Sequence, residues 1–329
     1  MKKIKEKNNM RKTLNRERVE GRLYDVSQLA LKQVQNSESP NFGQDFIGGS
    51  IDIATDDECL NIVTVYFTFV QPTYKSGKTN NTYGVLKNLI DNGKTVLADG
   101  ADEATLVRID AALALNDFYT QRNGEEVLVS AKRNNGSFAN IITKLGDADT
   151  RSTFECDMLI NGTQYVEANE ERNIAQDYLI VKGAVFDFRG SILPVEFVVK
   201  NQGGIKYFES LDASPKNLVF TKVWGQINSE TIVDRREEES AFGEPAVKEY
   251  TRTVREWVIT GTSKPDAVYE VGDSEAGITE EEIKKALADR EVYLADVKKR
   301  ADEYQASKNS GNASTTNAAA PAAQGGFNF

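Results

Sequence analysis

The stretch "IVTVYFTFVQPTYKSGKTNNTYGVLKNLID", residues 62–91, changes its hydrophobic pattern halfway along. It begins as an alternating strand, passes through a polar loop and ends as a short amphipathic helix. The loop contains Ser76-Gly77-Lys78-Thr79, most of a phosphate-binding motif. A complete motif needs a glycine at position 72, where this chain has Pro72, which lacks an N–H and has a fixed φ. The stretch therefore predicts a strand-to-helix connection and argues against a nucleotide hydrolase.

The same order of elements occurs again later in the chain. "ATLVRIDAALALND" (104–117) aligns with "KNLVFTKVWGQINS" (216–229), with Leu115 against Ile227 and Asn116 against Asn228. A short helix precedes each run, two strands precede each helix, and a hairpin with a last strand follows. One more strand opens each unit, near "RVEGRLYDV" and "TFECDMLIN". The predicted order is therefore strand, strand, strand, helix, strand, strand, and it occurs twice.

This order predicts a mainly β protein with two tandem OB-folds, which are five-stranded Greek-key barrels. We place the first OB domain at 15–147 and the second at 152–265. A pair of unrelated β-sandwiches is the alternative interpretation, since topology is hard to derive from one sequence. The helix in the middle of each unit favours the OB interpretation.

The two ends of the chain differ from the middle. Residues 1–14 predict a basic flexible arm, and 306–329 predict a disordered low-complexity tail. Between barrel and tail, 279–305 predicts a helix, because Thr279 and Glu282 have capping-box spacing. Apolar residues then recur at helical intervals, at Ile283, Leu287, Leu294 and Val297.

Composition excludes several classes of protein. The chain has 329 residues with a net charge of −10, yet 1–22 hold nine Lys and Arg against three Glu. Histidine is absent and only Cys59 and Cys156 are present, so we expect no metal site, no cofactor and a reducing compartment, the cytoplasm (the host's, if the protein is viral). The sequence contains no stretch of about 18 apolar residues, so it predicts no membrane span. The basic start lacks the apolar run of a secretory signal.

Candidate nucleic-acid-binding residues combine rings with cations. The loop combines the ring of Tyr74 with Lys75 and Lys78, and a second ring, Tyr83, lies further on. This combination suits bases and phosphates. In 216–229, alternation puts Val219, Val223 and Ile227 inside and Phe220, Lys222 and Trp224 outside. An exposed row of this kind predicts a binding surface. The alternative is that Phe220 and Trp224 pack beneath the 230–249 hairpin or the C-terminal helix.

The matching row of the first unit, Arg108, Asp110 and Ala112, is a poorer stacking surface. Arg108 is a candidate from this row, and the other candidates of the first unit lie in the following hairpin. They are aromatic or basic residues: Phe118, Tyr119, Arg122, Lys132, Arg133 and Phe138. Phe118 and Phe138 could instead be core residues. On the last strand of the second unit, Arg252 and Arg255 are further candidates, whereas Trp257 is expected in the core.

These stretches together resemble bacteriophage-type single-stranded DNA-binding proteins with tandem OB domains. The resemblance is carried by "RVEGRLYDV", "VRIDAALALNDFYTQRNGEEVLVSAKRNNGSFANII" and "VREWVITGTSKP", followed by a helix and a low-complexity tail. Members of the wider family end in an acidic tip closed by phenylalanine, which recruits replication partners. This tail keeps Phe329, a candidate partner-binding residue, but has no acidic residue after Glu303.

The first hypothesis is therefore a non-enzymatic, non-sequence-specific binder of single-stranded DNA in replication or recombination, with partner proteins recruited through the tail. The alternative is a structural protein of a virion or assembly, built from β-barrel interaction modules. An enzyme is the third hypothesis and has least support. The sequence lacks histidine, a complete phosphate-binding loop and a G-x-S-x-G nucleophile motif. The Asp56-Asp57-Glu58 run predicts a hairpin turn.

Overall fold

The computed structural model describes residues 13–170, 174–238, 246–263, 269–270 and 278–309. Within these ranges only the backbone is described at 230, 232–238, 246–252, 269–270 and 307–309. The described part is mainly β with a C-terminal helix, as the sequence predicts. The arm at 1–12 and the tail from 310 onward lie outside it, so the predictions made for them stay predictions.

The elements follow in chain order. The first half contains β1 (Asn15–Asp25), β2 (Ala30–Gln33), β3 (Asp45–Ala54), β4 (Ile62–Val70), α1 (Asn81–Asn92), α2 (Val96–Asp99), β5 (Leu106–Arg122) and β6 (Glu125–Ile141). The second half contains a 3₁₀ turn (Ala148–Thr150), β7 (Ser152–Val166), β8 (Tyr178–Phe186), β9 (Ile192–Val199), α3 (Gln202–Ser210), β10 (Val219–Glu238), β11 (Ala246–Thr262), β12 (Tyr269–Glu270) and α4 (Glu280–Asn309). The short elements β2, α2 and β12 were not predicted from the sequence.

Five strands of the first half form a closed ring. β1 pairs antiparallel with β3, β3 with β4, β5 with β6, and β5 returns to β1. The remaining junction is parallel, between β4 and β6, with Val65 opposite Asn134 and Tyr66 opposite Asn135. We call this set the first ring. Closure leaves its strands without free edges, which protects them from pairing with other chains.

The second half closes in the same way. β7 pairs with β8, β8 with β9, β10 with β11, and β10 returns to β7, all antiparallel. A parallel contact of Val258 with Val198 joins β11 to β9. This is the second ring. β1 and β7 pair antiparallel, from Asn15–Cys156 to Val19–Ser152, so the two rings share one continuous sheet.

Alternation explains which side of each strand is buried. Val63, Val65 and Phe67 of β4 are buried, whereas Thr64, Tyr66 and Thr68 are not. Most buried apolar side chains of both rings belong to one contiguous cluster. A helix contributes to that cluster in each ring, with Leu86 and Leu89 from α1 and Ile205 and Phe208 from α3.

Both helices begin at asparagines that cap them. Asn80 Oδ1 accepts a hydrogen bond from Thr82 N at 3.1 Å, and Asn201 Oδ1 accepts one from Gly204 N at 2.6 Å. Each cap satisfies an amide that would otherwise have no partner in the first helical turn. The helices therefore begin where each polar connection ends.

The C-terminal helix α4 begins as predicted, with a capping box. Glu282 Oε2 accepts from Thr279 N at 2.8 Å, and Thr279 Oγ1 accepts from Glu282 N at 3.2 Å. The helix continues to Asn309, past the predicted end at 305. No glycine or proline interrupts the chain before Gly311, so nothing in the sequence stops the helix at 305.

A second, smaller core lies under α4. Ile278, Ile283 and Ala286 pack there against ring residues that include Phe186 and Phe220. The rings of Phe186 and Phe220 are 6.4 Å apart in an edge-to-face arrangement. The prediction that Phe220 is exposed for base stacking is therefore wrong, because α4 seals it completely, at 0% exposure.

Candidate nucleic-acid interface

The loop between β4 and α1 brings three predicted residues together. Tyr74 N donates to the carbonyl of Lys78 at 2.8 Å, so residues 73–79 form a tight turn. Gly77 has φ of +79°, a left-handed conformation that glycine adopts at least cost. Tyr74 is 45% exposed, and Lys75 and Lys78 are exposed beside it. One ring and two ammonium groups therefore project from one loop tip.

A second cluster lies on the outer side of β4, where Tyr66 projects between two inward-facing neighbours. The guanidinium of Arg133, from β6, lies over the Tyr66 ring, with its central carbon 4.6 Å from the centroid. Partial burial lowers the pKa of Arg133, but a guanidinium keeps its charge at physiological pH. Arg133 was predicted as a binding residue, and its position over a partly exposed ring suits that role.

Arg255 reaches the same surface from the second ring. Its Nη2 lies 3.4 Å from Thr64 Oγ1, on the strand that carries Tyr66. We call Asp52, Thr64, Tyr66, Thr68, Arg133, Asn135 and Arg255 the junction surface. It carries two guanidinium groups and one carboxylate, that of Asp52, which accepts a 2.7 Å hydrogen bond from Thr64 Oγ1. Burial raises the pKa of Asp52, with Thr64 and Arg255 opposing the shift.

The long hairpin of β10 and β11 holds Arg255 in place beside the first ring. Asn61, at the start of β4, accepts from Ser229 N at 2.7 Å and donates to Ile227 O at 3.3 Å. Both partners lie on β10, which pairs with β11 through Ser229 and Arg255. The junction surface is therefore assembled from both rings and depends on their fixed contact.

Lys132, a predicted binding residue, is half-buried where the two rings meet. Its Nζ donates to Glu196 O at 2.8 Å and lies 4.7 Å from the centroid of the Trp257 ring. Burial lowers the pKa of Lys132 to about 8, although Glu196 and Glu256 oppose the shift. Lys132 thus has partners within the protein, and its role in binding DNA stays a prediction.

Trp257 is in the core, as predicted, at 2% exposure. Its Nε1 donates to Oε1 of the buried Glu17 at 2.8 Å. Trp257 comes from the second ring and Glu17 from the first, so this bond crosses the junction. Burial raises the pKa of Glu17 to about 8, with the hydrogen bond from Trp257 opposing the shift.

The predicted row on β10 divides into different environments. Phe220 is sealed, whereas Trp224 is 41% exposed and lies against Gly261, where a Cβ would meet the indole nitrogen at 2.4 Å. Only glycine allows this close approach. Lys222 lies between them and forms an ion pair with Glu155 at 3.5 Å. Trp224 and Lys222 thus remain on an open surface, and Arg16 contacts the same carboxylate.

The hairpin of β5 and β6 turns at Asn123-Gly124, as predicted, with φ of +52° and +84°. Phe118 near the turn is 39% exposed, and Phe138 further along β6 is 56% exposed. Neither is a core residue. Tyr119, by contrast, lies beneath Lys298 of α4, with Nζ 5.4 Å from the ring centroid. Arg122 is exposed at the tip.

Other predicted residues lie away from these clusters or outside the described part. Arg108 projects from the outer side of β5, opposite Glu20 of β1, and its Nε is buried without a partner among the described residues. Arg252 lies in β11, but its side chain is not described, and Phe329 lies outside the described residues. Among the residues that the structure describes, no group of His, Cys, Asp or Glu could hold a metal ion, and no helix is both long and apolar enough to cross a membrane.

Sequence reasoning missed Tyr66, the central ring of the junction surface. The signal was present, since Tyr66 alternates with the apolar residues Val65 and Phe67 in a strand with threonine at the other outward positions. It also missed Phe69, which is 41% exposed and lies 4.6 Å from Phe46 between ring centroids. What sequence could not supply was the approach of Arg255 from the other ring.

Comparison with known proteins places this chain in a family. Among solved structures, the wild-type single-stranded DNA-binding protein from Thermus aquaticus is similar at 10% identity, covering 81% of this chain and 98% of that one, with a TM-score of 0.43. A deletion mutant of that protein is similar at 10% identity and the same TM-score, 0.43, covering 81% of this chain and 100% of that one. No curated protein matches. The model of the YorF family matches residues 14–300, and the chain therefore belongs to the YorF family.

Proposed function

We propose that this protein binds single-stranded DNA with little preference for sequence. The observation that carries the proposal is the junction surface, where Arg133 lies 4.6 Å above the Tyr66 ring and Arg255 lies 3.4 Å from Thr64 on the same strand. A base can stack on a tyrosine while guanidinium groups bind the adjoining phosphates. Neither contact reads base identity, so sequence preference should be weak.

We further propose that each ring is an OB-fold domain, with bounds near 15–147 and 152–265. Support comes from the five-strand closure through one parallel junction and from the helix between the third and fourth long strands of each ring. OB barrels leave one face and their loops open for oligonucleotides. The Tyr74 loop directly follows β4, the strand that carries Tyr66 of the junction surface, so one strand of DNA could cross both.

The role we propose is that of a coating protein in DNA replication or recombination, in the cytoplasm, without catalytic activity. The absence of histidine from the sequence supports binding over catalysis. The terminal Phe329 remains a candidate contact for partner proteins. The net charge of −10 does not oppose DNA binding, because local clusters of cations decide the contact.

The test is a titration of fluorescently labelled oligo-dT, followed by anisotropy. We expect tight binding at low salt, a linear fall of log K with log salt, and weak competition from duplex. Oligo-dA and oligo-dC should compete within a small factor of oligo-dT. No binding at low salt, or equal affinity for duplex, would overturn the proposal. A stable oligomer without affinity for single strands would support the alternative, an assembly protein.

A further inference from the structure

The tip of the β5–β6 hairpin is held by α4 through charged side chains. Arg290 donates to Asp117 with Nη2 at 2.9 Å from Oδ1 and Nη1 at 3.3 Å from Oδ2. The side chains of Arg290 and Asp117 are only 11% and 2% exposed. Ser130, on the facing strand, donates to the same carboxylate at 2.5 Å. This buried two-point contact fixes the helix in register with the hairpin.

Lys298 makes the second contact, about two turns further along α4. Its Nζ lies 2.5 Å from Glu126 Oε2 and 5.4 Å from the centroid of the Tyr119 ring. A further ion pair joins it to Asp302 within the helix. The hydrogen bonds to Asp302 and Glu126 raise the pKa of Lys298, so it carries its charge at neutral pH. Lys298 thus lies where a DNA base would stack on Tyr119.

The other end of α4 is attached by different chemistry. Ile278, Ile283 and Ala286 pack into the apolar cluster that contains Phe186 and Phe220 of the second ring. Apolar packing of this kind resists salt, and the buried pair of Arg290 with Asp117 is screened little, whereas the partly exposed ion pair of Lys298 with Glu126 is open to competition by charged groups. Competition by charged groups should therefore act on the part of α4 around Lys298 rather than on its N-terminal part.

We propose that the hairpin carries a second contact surface for single-stranded DNA, centred on Tyr119, which the later part of α4 covers. A strand that reaches the hairpin competes for Lys298 through its phosphates and for Tyr119 through a base. This inference rests on the proposed function. It adds that the later part of α4 competes with DNA for the hairpin. It also explains why an aromatic on a binding hairpin is covered in the free protein.

The test compares Lys298→Met with Lys299→Met. Lys299 is a matched control, because it is 74% exposed and pairs only within the helix, with Glu303 at 3.9 Å. Both substitutions remove one positive charge, which by itself weakens DNA binding. We expect Lys298→Met to raise the affinity for labelled oligo-dT about three- to tenfold, since a freed ring can stack. Lys299→Met should lower it slightly.

Tyr119→Ala completes the test. Its effect on affinity should be smaller in the wild-type background, where α4 competes with DNA for the ring, than in the Lys298→Met background, where it should remove the gain. A Lys298→Met protein that binds no better than Lys299→Met would overturn the masking proposal while leaving the proposed function in place. A wild-type chain that fails to bind oligo-dT at low salt would overturn both. Hydrogen exchange over 117–130 should rise in Lys298→Met alone and so confirm release of the hairpin.

Discussion

Tyr66 and Tyr119 are two tyrosines of the first ring, and each lies beneath a cation. Over Tyr66 the cation is Arg133, from the neighbouring strand of the same sheet, 4.6 Å from the centroid. Over Tyr119 it is Lys298, from α4, 5.4 Å from the centroid. The first arrangement is built into a hydrogen-bonded ladder, whereas the second depends on an element that packs from outside the ring.

The difference concerns how each tyrosine side chain can bind DNA. The β5–β6 ladder fixes the backbone of Arg133 beside Tyr66, so ring and cation form one preorganised surface. Lys298 is anchored only by its ion pairs and by the helix that carries it. The same pair of chemical groups therefore comes from within one sheet in the first case and from a sheet and a separate helix in the second. Four experiments test this contrast, beginning with the contact that holds the rings together.

The largest effect should come from Glu17, which keeps the second ring, and so Arg255, beside Tyr66. Burial raises the pKa of Glu17 from 4.5 to about 8. Protonated Glu17 therefore makes its full contribution to the free energy of unfolding below pH 4.5, and this contribution is lost as pH rises towards 8. Its size is at most about 1.4 kcal/mol for each unit of pKa shift. We expect the free energy of unfolding to fall between pH 5 and pH 8 in urea titrations, and Glu17→Gln to flatten that fall.

Lys132 changes the free energy of unfolding at higher pH and in the opposite direction. Its pKa is lowered from 10.5 to about 8. The charged form of Lys132 therefore lowers the free energy of unfolding fully below pH 8, and this destabilisation is relieved as pH rises towards 10.5. Because Glu17 lowers the free energy of unfolding up to pH 8 and Lys132 raises it above pH 8, we expect a minimum near pH 8. Glu125→Gln, at the exposed hairpin turn, is the control and should leave the curve unchanged. A wild-type curve that is flat from pH 5 to 8 would show that Glu17 ionises in place without cost.

Next in size is Tyr66→Ala. Removing this ring should weaken oligo-dT binding about 10- to 100-fold, the worth of one stacked base. Tyr119→Ala, which removes the covered ring, is the matched comparison and should weaken binding by a much smaller factor in the wild-type background. Anisotropy at one fixed salt concentration measures both. Equal losses from the two substitutions would mean that the covered and open rings do not differ in use.

A smaller effect is expected from Arg255→Met, which removes the contribution of the second ring to the junction surface. The slope of log K against log salt should become shallower by about 1, because one phosphate contact is lost. Arg189→Met is the control, since Arg189 lies over Phe188 at the turn between β8 and β9. If both substitutions change the slope equally, the contact made by Arg255 is not a specific one.

The smallest effect on affinity should come from Trp224→Phe, about two- to threefold, because phenylalanine can still stack. Its optical effect should be large. Trp224 is 41% exposed and Trp257 is 2% exposed, so oligo-dT should quench only the former. We expect Trp224→Phe to abolish the quenching measured on titration. Quenching that persists in this variant would indicate that the second ring opens around Trp257.

Strand alternation predicted most of what was right about single residues. Val219, Val223 and Ile227 are buried and Trp224 is open, as the pattern of β10 indicates. Phe220 follows the same pattern and is nevertheless sealed, because α4 covers the outer side of the strand at that point. A period of two tells which side of a sheet a residue faces, but not whether another element lies on that side.

Sequence alone determined the mainly β class, the capped helices after the third long strands, the Asn123-Gly124 turn and the start of α4 at its capping box. These features depend on neighbours a few residues apart, whose propensities and hydrogen bonds are local. Tertiary structure decided the meeting of Arg255 with Thr64, the partial burial of Lys132 and the covering of Tyr119. Each of these joins residues of different elements far apart in the chain, and such contacts are set by how whole rings and helices pack rather than by any local pattern.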